Sequence, residues 1–338
     1  MCNQPYKPTS ADIAQLAGVS RSTVSRVING YANVPEATRK RVLDIIQQYG
    51  YYPSISGKTL RGMRAHCVGV FLNDEGRGGA QASMLYAFSE RAQRHGYMTL
   101  SGRVEPFAAS TCGTSVRRVL HSGCVDAGVF LDAAGGSQLI EQLLTEGQTI
   151  GAVGMPVEAT HERLFTVGLN PGVARHAVEY ALALRFRQAT LLCERPDQPF
   201  CRALCRRFMN CAENTGLTVV CPRQQSGQTL DLQVADALAT LPQLLVCIDQ
   251  ASVFAAYRQA AARGLAVGAD VSILGMGLFA ESLPLWPTLT GYRFDSGEMI
   301  DSLADRLIQN LQGVQDTPRQ RLVEGRWMDG GSCASPVS

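Results

Sequence analysis

The chain reads as a small three-helix head with helix-turn-helix spacing, followed by an α/β core of two doubly wound parallel-sheet lobes. Three observations predict this. Between Thr9 and Asn29 two short helical patterns meet across a three-residue turn. From Cys67 onward short apolar runs alternate with helical patterns, the signature of parallel strands joined by crossover helices. That rhythm restarts after Phe165, so a second lobe follows the first.

The head begins with Thr9 and Asp12, a variant of the helix-start box in which hydroxyl and carboxylate satisfy free amides of a first helix carrying Ile13 and Leu16. Ala17-Gly18-Val19 allows a sharp bend, because glycine accepts a positive φ, and Ser20 is a good N-cap for a second helix. Val24, Val27 and Ile28 share one face of that helix, leaving Arg21, Ser22, Ser25, Arg26 and Asn29 on the other. Such short polar and guanidinium groups suit base edges and phosphates. Pro35 is placed for the first turn of a third helix, whose Val42, Ile45, Ile46 and Tyr49 repeat at helical spacing and cover the first two.

Charge agrees with this division. The 338 residues carry a formal net charge of only +2, yet residues 1–64 hold nine Lys or Arg and three Asp or Glu, a net +6, which leaves −4 for the rest. All three lysines (Lys7, Lys40, Lys58) lie in this segment. A clustered basic face of this kind displaces counterions from phosphates.

The runs DIAQLAGVSRSTVSRVING, VPEATRKRV, GYYPS and KTLRG, in that order and spacing, resemble the lactose-repressor and galactose-repressor (LacI/GalR) family of bacterial transcription regulators. The resemblance implies a head whose second helix enters the major groove of double-stranded operator DNA, a hinge that enters the minor groove, and a periplasmic-binding-protein-like core that senses a small molecule and forms a homodimer. It assigns base reading to Arg21 and Ser22, a base or phosphate contact to Arg26, and backbone positioning to Ser20, Thr23, Ser25 and Asn29. Thr9, Tyr51 and Arg61 complete the implied DNA-contacting set. Leu60 matches the family's leucine that wedges between central base pairs and kinks the duplex. Gly57 stands where the family usually has alanine and lowers helix propensity by about 1 kcal/mol, so the hinge is expected to order on DNA.

The core keeps the family's order of elements with weaker motifs. The strand candidates CVGVFL, YMTLS, AGVFL and TIGAVG precede Phe165; FTVGL, ATLLC, LTVVC, LLVCI and VSILG follow it. TGYRF, a helix over 295–311 and RLVEG then return the chain to the first lobe and end it in the second. We therefore expect a head over 1–50, a hinge over 51–64 and a core over 65–338. The first lobe would comprise about 65–165 and 293–318, the second about 166–292 and 319–338.

Ligands of such a fold bind where strand ends of both sheets face each other. At LLVCIDQAS the family usually has Asn-Asp, whereas this chain has Ile248 and Asp249; at VSILGMGLF its paired carboxylates are replaced by Gly277 and Leu278 after Met276. LTGYRFDS keeps Arg293 but has Phe294 in place of glutamine, and LNPGV keeps Asn170. Losing several hydrogen-bonding groups, each worth about 1–3 kcal/mol when its partner is buried, makes a plain hexose a poor fit. Three readings stay open: an anionic effector held by Arg77, Arg195, Arg202 or Arg293, a more apolar pocket lined by Met276, Leu278 and Phe294, or loss of small-molecule control.

No nucleophile elbow, metal-ligand histidine pair or phosphate loop appears, so neither catalysis nor a cofactor is expected. Eleven scattered cysteines without C-x-x-C read as free, mostly buried thiols, and no metal is expected even at Cys201, Cys205 and Cys211. The opening MCNQPYKPTS lacks the apolar run of a signal peptide and no stretch is long enough to span a bilayer, so a cytoplasmic protein is expected, nucleoid-associated when on DNA. The alternative is a small-molecule receptor of the same core fold, which the basic head opposes.

Overall fold

The computed structural model describes residues 8–28, 31–51, 64–73, 79–104, 114–131, 137–154, 161–196, 199–222, 228–240, 244–279 and 285–335. The chain divides into two compact units, Met1–Ala65 and His66–Ser338. Among the described residues the first holds three helices, α1 (Ser10–Ala17), α2 (Arg21–Ile28) and α3 (Glu36–Tyr49). The helix-start box is complete: the Asp12 amide donates to Thr9 Oγ1 at 3.4 Å and the Thr9 amide donates to Asp12 Oδ2 at 2.7 Å. Gly18, at φ 62°, closes α1 in the left-handed conformation, and the Thr23 amide donates to Ser20 Oγ at 3.1 Å to start α2. Pro35 stands one residue earlier than expected, as the N-cap of α3.

Ile13, Ala14, Ala17, Val24, Val27, Val34 and Val42 form the core of the head, with Ile45, Ile46 and Tyr51 packed against it. Leu16 and Tyr49, which periodicity placed in that core, are exposed. The buried arc of α1 is centred on Ala14 and Ala17, small residues that let α2 approach closely, so Leu16 falls on its flank.

In the second unit β1 (Cys67–Asn73), α4 (Gly79–Arg94), β2 (Met98–Val104), α5 (Thr114–His121), β3 (Ala127–Phe130), α6 (Ser137–Thr145), β4 (Ile150–Val153) and β5 (Leu164–Leu169) come first. Then follow α7 (Val173–Ala183), β6 (Gln188–Leu192), α8 (Pro199–Ala212), β7 (Thr218–Val220), α9 (Leu230–Ala239), β8 (Leu244–Cys247), α10 (Gln250–Ala262), β9 (Ser272–Phe279), β10 (Thr290–Phe294), α11 (Ser296–Leu311), β11 (Gln320–Val323) and β12 (Arg326–Met328). One sheet has the order β11-β5-β4-β3-β1-β2, the other β12-β10-β9-β8-β6-β7. All pairings are parallel except that of β12 with β10.

The lobe boundaries differ from those expected. FTVGL lies in β5 and belongs to the first sheet, between β4 and β11, while β10 lies wholly in the second and β11 in the first. The chain therefore changes lobes near 170, 295 and 324 rather than near 166, 293 and 319. Every residue of β5 is buried, so its apolar run is the same whichever sheet it joins.

Buried residues of both lobes form one contiguous cluster, in which Met299, Ile300, Leu303 and Leu307 of α11 lie with Val68 and Val70 of β1 and with Leu274, Met276 and Phe294 of the second lobe. Polar ties lock α11 to α4. Arg91 donates Nε to Asp305 Oδ1 at 2.7 Å and Nη2 to Oδ2 at 2.6 Å, and His95 Nε2 lies 2.7 Å from Oδ1. Hydrogen bonding from Arg91, then from His95, holds the Asp305 carboxyl below its ordinary range. A carboxyl depressed by folding stabilises the native state above its unfolded pKa and loses that contribution as pH falls through the folded value. We expect Asp305→Asn to cost about 1–2 kcal/mol at neutral pH, and the gap from wild type to close as denaturation is repeated below about pH 4. A gap that stays constant on acidification would show that the charge of Asp305 contributes nothing.

Candidate functional site

The polar face of α2 is built from its own caps. Ser20 Oγ lies 2.7 Å from Ser22 Oγ and 2.9 Å from Thr23 Oγ1, so three hydroxyls cluster at the helix N-terminus, where free amides favour an anionic oxygen. Arg21, Ser22 and Arg26 are exposed, and Ser25 is half-buried beside them. Arg21 Nη2 donates to Ser10 Oγ at 3.4 Å, bracing the guanidinium against the start of α1. Arg26 lies in the last turn of α2, where a cation complements the helix dipole.

Two expected contacts have other duties here. The Thr9 hydroxyl donates to Asp12 Oδ2 at 2.7 Å, and the half-buried Tyr51 packs on the head core. Asn29, Leu60, Arg61 and, in the core, Arg77 lie outside the described residues.

The candidate ligand residues of the core do not converge as a set. Met276 and Phe294 have no accessible surface; they are core side chains and present nothing to a cleft, which corrects the expectation of an apolar lining. Gly277, next to Met276, cannot be exchanged for an acid, because a Cβ there would lie 2.3 Å from the Ile248 carbonyl oxygen.

Asn170, where the chain leaves β5, is engaged within the fold. Its Nδ2 donates to Glu324 Oε1 at 2.7 Å and its Oδ1 accepts from the Gly172 amide at 2.8 Å, so it ties two of the three lobe crossings together. Arg293 is half-buried and Arg202 is exposed on α8.

Asp249 caps α10 through the Ser252 amide, 2.8 Å from Oδ1, while Oδ2 accepts from the Glu194 amide at 2.8 Å. The Cys193 thiol also donates to that Oδ2 at 3.2 Å. The neighbouring thiols Cys201 and Cys205, then burial and the Asp249 charge, push proton loss from Cys193 upward, while the Cys193 thiol lowers that of Cys205. Sequence spacing set Cys201 beside Cys205 but left out Cys193 and Asp249. The signal is the end of β6 lying beside the end of β8, a pairing only the sheet order supplies.

On the outer face of α10, Phe254, Tyr257, Leu265, Leu285, Trp286 and Pro287 line an open hollow. Trp286 is 90% exposed. An indole so exposed is unusual for a surface that meets only water.

Residues 9–54 match the bacterial regulatory proteins of the lacI family, and residues 178–333 match the periplasmic binding protein-like domain. The lactose operon repressor of Escherichia coli K12 is 24% identical over 310 residues, covering 90% of this chain and 85% of that protein. The HTH-type transcriptional regulator TreR of Salmonella typhimurium is 41% identical over 86 residues, about a quarter of each chain (25% and 27%). Among solved structures, the Lac repressor dimer bound to operator and the anti-inducer ONPF superposes with a TM-score of 0.80 at 22% identity, covering 97% of this chain and all of that one. A transcriptional regulator CelR–cellobiose complex gives a TM-score of 0.67 at 20% identity, covering 96% of this chain and all of that one. No helix among the described residues is long and apolar enough to cross a membrane. With a capped helix-turn-helix in the head and two parallel-sheet lobes in the core, the chain carries a DNA-binding domain of the lacI type and a periplasmic binding protein-like domain, and regulators of the lacI family are its homologues and structural neighbours.

Proposed function

We propose that the protein is a cytoplasmic repressor that binds a palindromic operator as a homodimer and changes affinity when a small molecule occupies the core. The observation that carries this is the exposed face of α2, where Arg21, Ser22 and Arg26 project from a helix whose start and turn are fixed by Thr9, Gly18 and Ser20. Arg21 and Ser22 read half-site bases, Arg26 takes a base or phosphate, and the neighbouring hydroxyls position the backbone. Leu60 wedges into the minor groove at the centre of the site, with Arg61 beside it. One head buries too little DNA for a specific site, so two-fold pairing is needed. The apolar hollow around Phe254 and Trp286 supplies a surface for such pairing.

The effector is carbohydrate-related in class, as it is for the relative solved with cellobiose. Arg202 and Arg293 favour an anionic member of that class, and the buried Met276 and Phe294 offer it no apolar contact. The protein catalyses nothing in this scheme and holds no cofactor. Control follows if the lobe crossings at 170, 295 and 324 shift when the cleft is filled.

In a binding-site selection followed by affinity measurement, we expect Arg21→Ala to lower preference for the selected half-site by about 1–3 kcal/mol. Non-specific binding, with its steep dependence on salt, should change little by comparison. Unaltered base preference in the Arg21→Ala selection would remove that residue from the reading set.

A further inference from the structure

We propose that Cys193, Cys201 and Asp249 form a binding site for one thiophilic cation of the zinc(II) class at the strand ends of the second lobe. The donor atoms of Cys193, Cys201 and Asp249 all lie within 4.8 Å of one another. Cys205 lies four residues after Cys201, on the same face of α8, beside this set. In a tetrahedral site with metal–sulfur distances of about 2.3 Å and metal–oxygen distances of about 2.0 Å, donors stand about 3.5–3.8 Å apart. The cluster needs a contraction of only about 1 Å to reach that spacing. Two sulfurs and one carboxylate leave the fourth position of a tetrahedral zinc site to water or a neighbouring thiol, and the sulfurs exclude a calcium or magnesium preference.

Packing alone explains part of the cluster. Cys201 and Cys205 are buried and would serve as small apolar core residues. It does not explain why a third thiol, on another element, is turned to a carboxylate. Asp249 is held in place by the Ser252 and Glu194 amides, so its Oδ2 is pre-aimed at Cys193. A metal ion would replace the thiol proton on that 3.2 Å line, with the thiol protons released to solvent. The residues come from the carboxyl ends of β6 and β8 and from the α8 face above them, the place where open α/β sheets take ligands.

The test uses the full-length reduced protein, stripped with a chelator and titrated with cobalt(II) as a coloured probe. Expected is saturation at one equivalent per chain with thiolate-to-cobalt charge-transfer absorption, bleached by zinc(II). Cys193→Ser and Cys201→Ser should each weaken cobalt binding by more than about tenfold, while Cys124→Ser, at an exposed thiol of the other lobe, should not. Absence of the thiolate band, or its survival undiminished in Cys193→Ser, would overturn the proposal. Because a buried serine can unfold α8, cadmium-113 resonance on the unsubstituted protein provides a second reading. A shift in the multi-sulfur range supports the site, and one typical of oxygen and nitrogen ligands alone overturns it.

Discussion

Ile13→Ala should abolish operator binding while leaving the core unit folded. Ile13 has no accessible surface and is one of seven buried residues that hold the whole head together. Truncating a buried isoleucine to alanine costs about 2–5 kcal/mol through lost transfer energy and the cavity left behind. A three-helix unit of this size has little more than that to lose. The head should therefore unfold for much of the time, and specific affinity should fall by at least about tenfold for each 1.4 kcal/mol lost beyond its stability. Anisotropy of a labelled operator would measure the affinity, and calorimetry would show the core transition unmoved. Wild-type affinity in Ile13→Ala would mean that DNA contact, rather than this core, maintains the head.

Arg306→Met should produce the largest loss within the core unit. Arg306 is buried in α11 with no carboxylate paired to it among the described residues; Nη2 donates to the Thr166 carbonyl at 2.9 Å, Nη1 to the Pro318 carbonyl at 3.0 Å and Nε to the Ser302 carbonyl at 3.0 Å. Burial, then repulsion from Arg321, brings its pKa down to about 10. The guanidinium is the clamp between α11, β5 and the approach to β11. Methionine matches its length and apolar stem but withdraws all three donations; the Ser302 carbonyl keeps its helix amide and the Thr166 carbonyl its place in the β5–β11 ladder, so the Pro318 carbonyl loses most, at about 1–3 kcal/mol where water cannot reach it. We expect urea denaturation to show a loss of about 1–3 kcal/mol, with the head unit unchanged. A loss below about 0.5 kcal/mol would mean that water replaces the guanidinium there.

The head was legible in sequence because its determinants are local. Thr9 with Asp12, Gly18, and Ser20 with Thr23 act over three or four residues, and the structure places each cap where the spacing put it. Helix identity in the core was legible for the same reason: the apolar period that marked 295–311 became α11. The family resemblance rested on those same local runs, and the matches over 9–54 and 178–333 agree with it.

Partners across the core were not legible. FTVGL and RLVEG read as second-lobe strands, yet β5 and β11 pair with each other in the first sheet; β5 is buried throughout and looks alike in either lobe, while β11, with only Val323 buried, is placed by that pairing. Met276 and Phe294 looked like pocket lining, since an apolar residue at a ligand position and an apolar residue in a core have the same sequence signature; only packing shows them sealed. Cys193 was invisible beside Cys201 and Cys205, because β6 and β8 become neighbours through a pairing between residues more than fifty positions apart.

By itself the sequence determined the elements, the caps that start and stop them, the basic head and the polar face of α2, all set by interactions within one or two helical turns. Tertiary structure alone decided which sheet each buried strand joins, which cleft candidates are closed into the core, and which thiols meet a carboxylate. Those outcomes depend on hydrogen-bond pairing and side-chain packing between distant segments, and neither leaves a periodic mark along the chain.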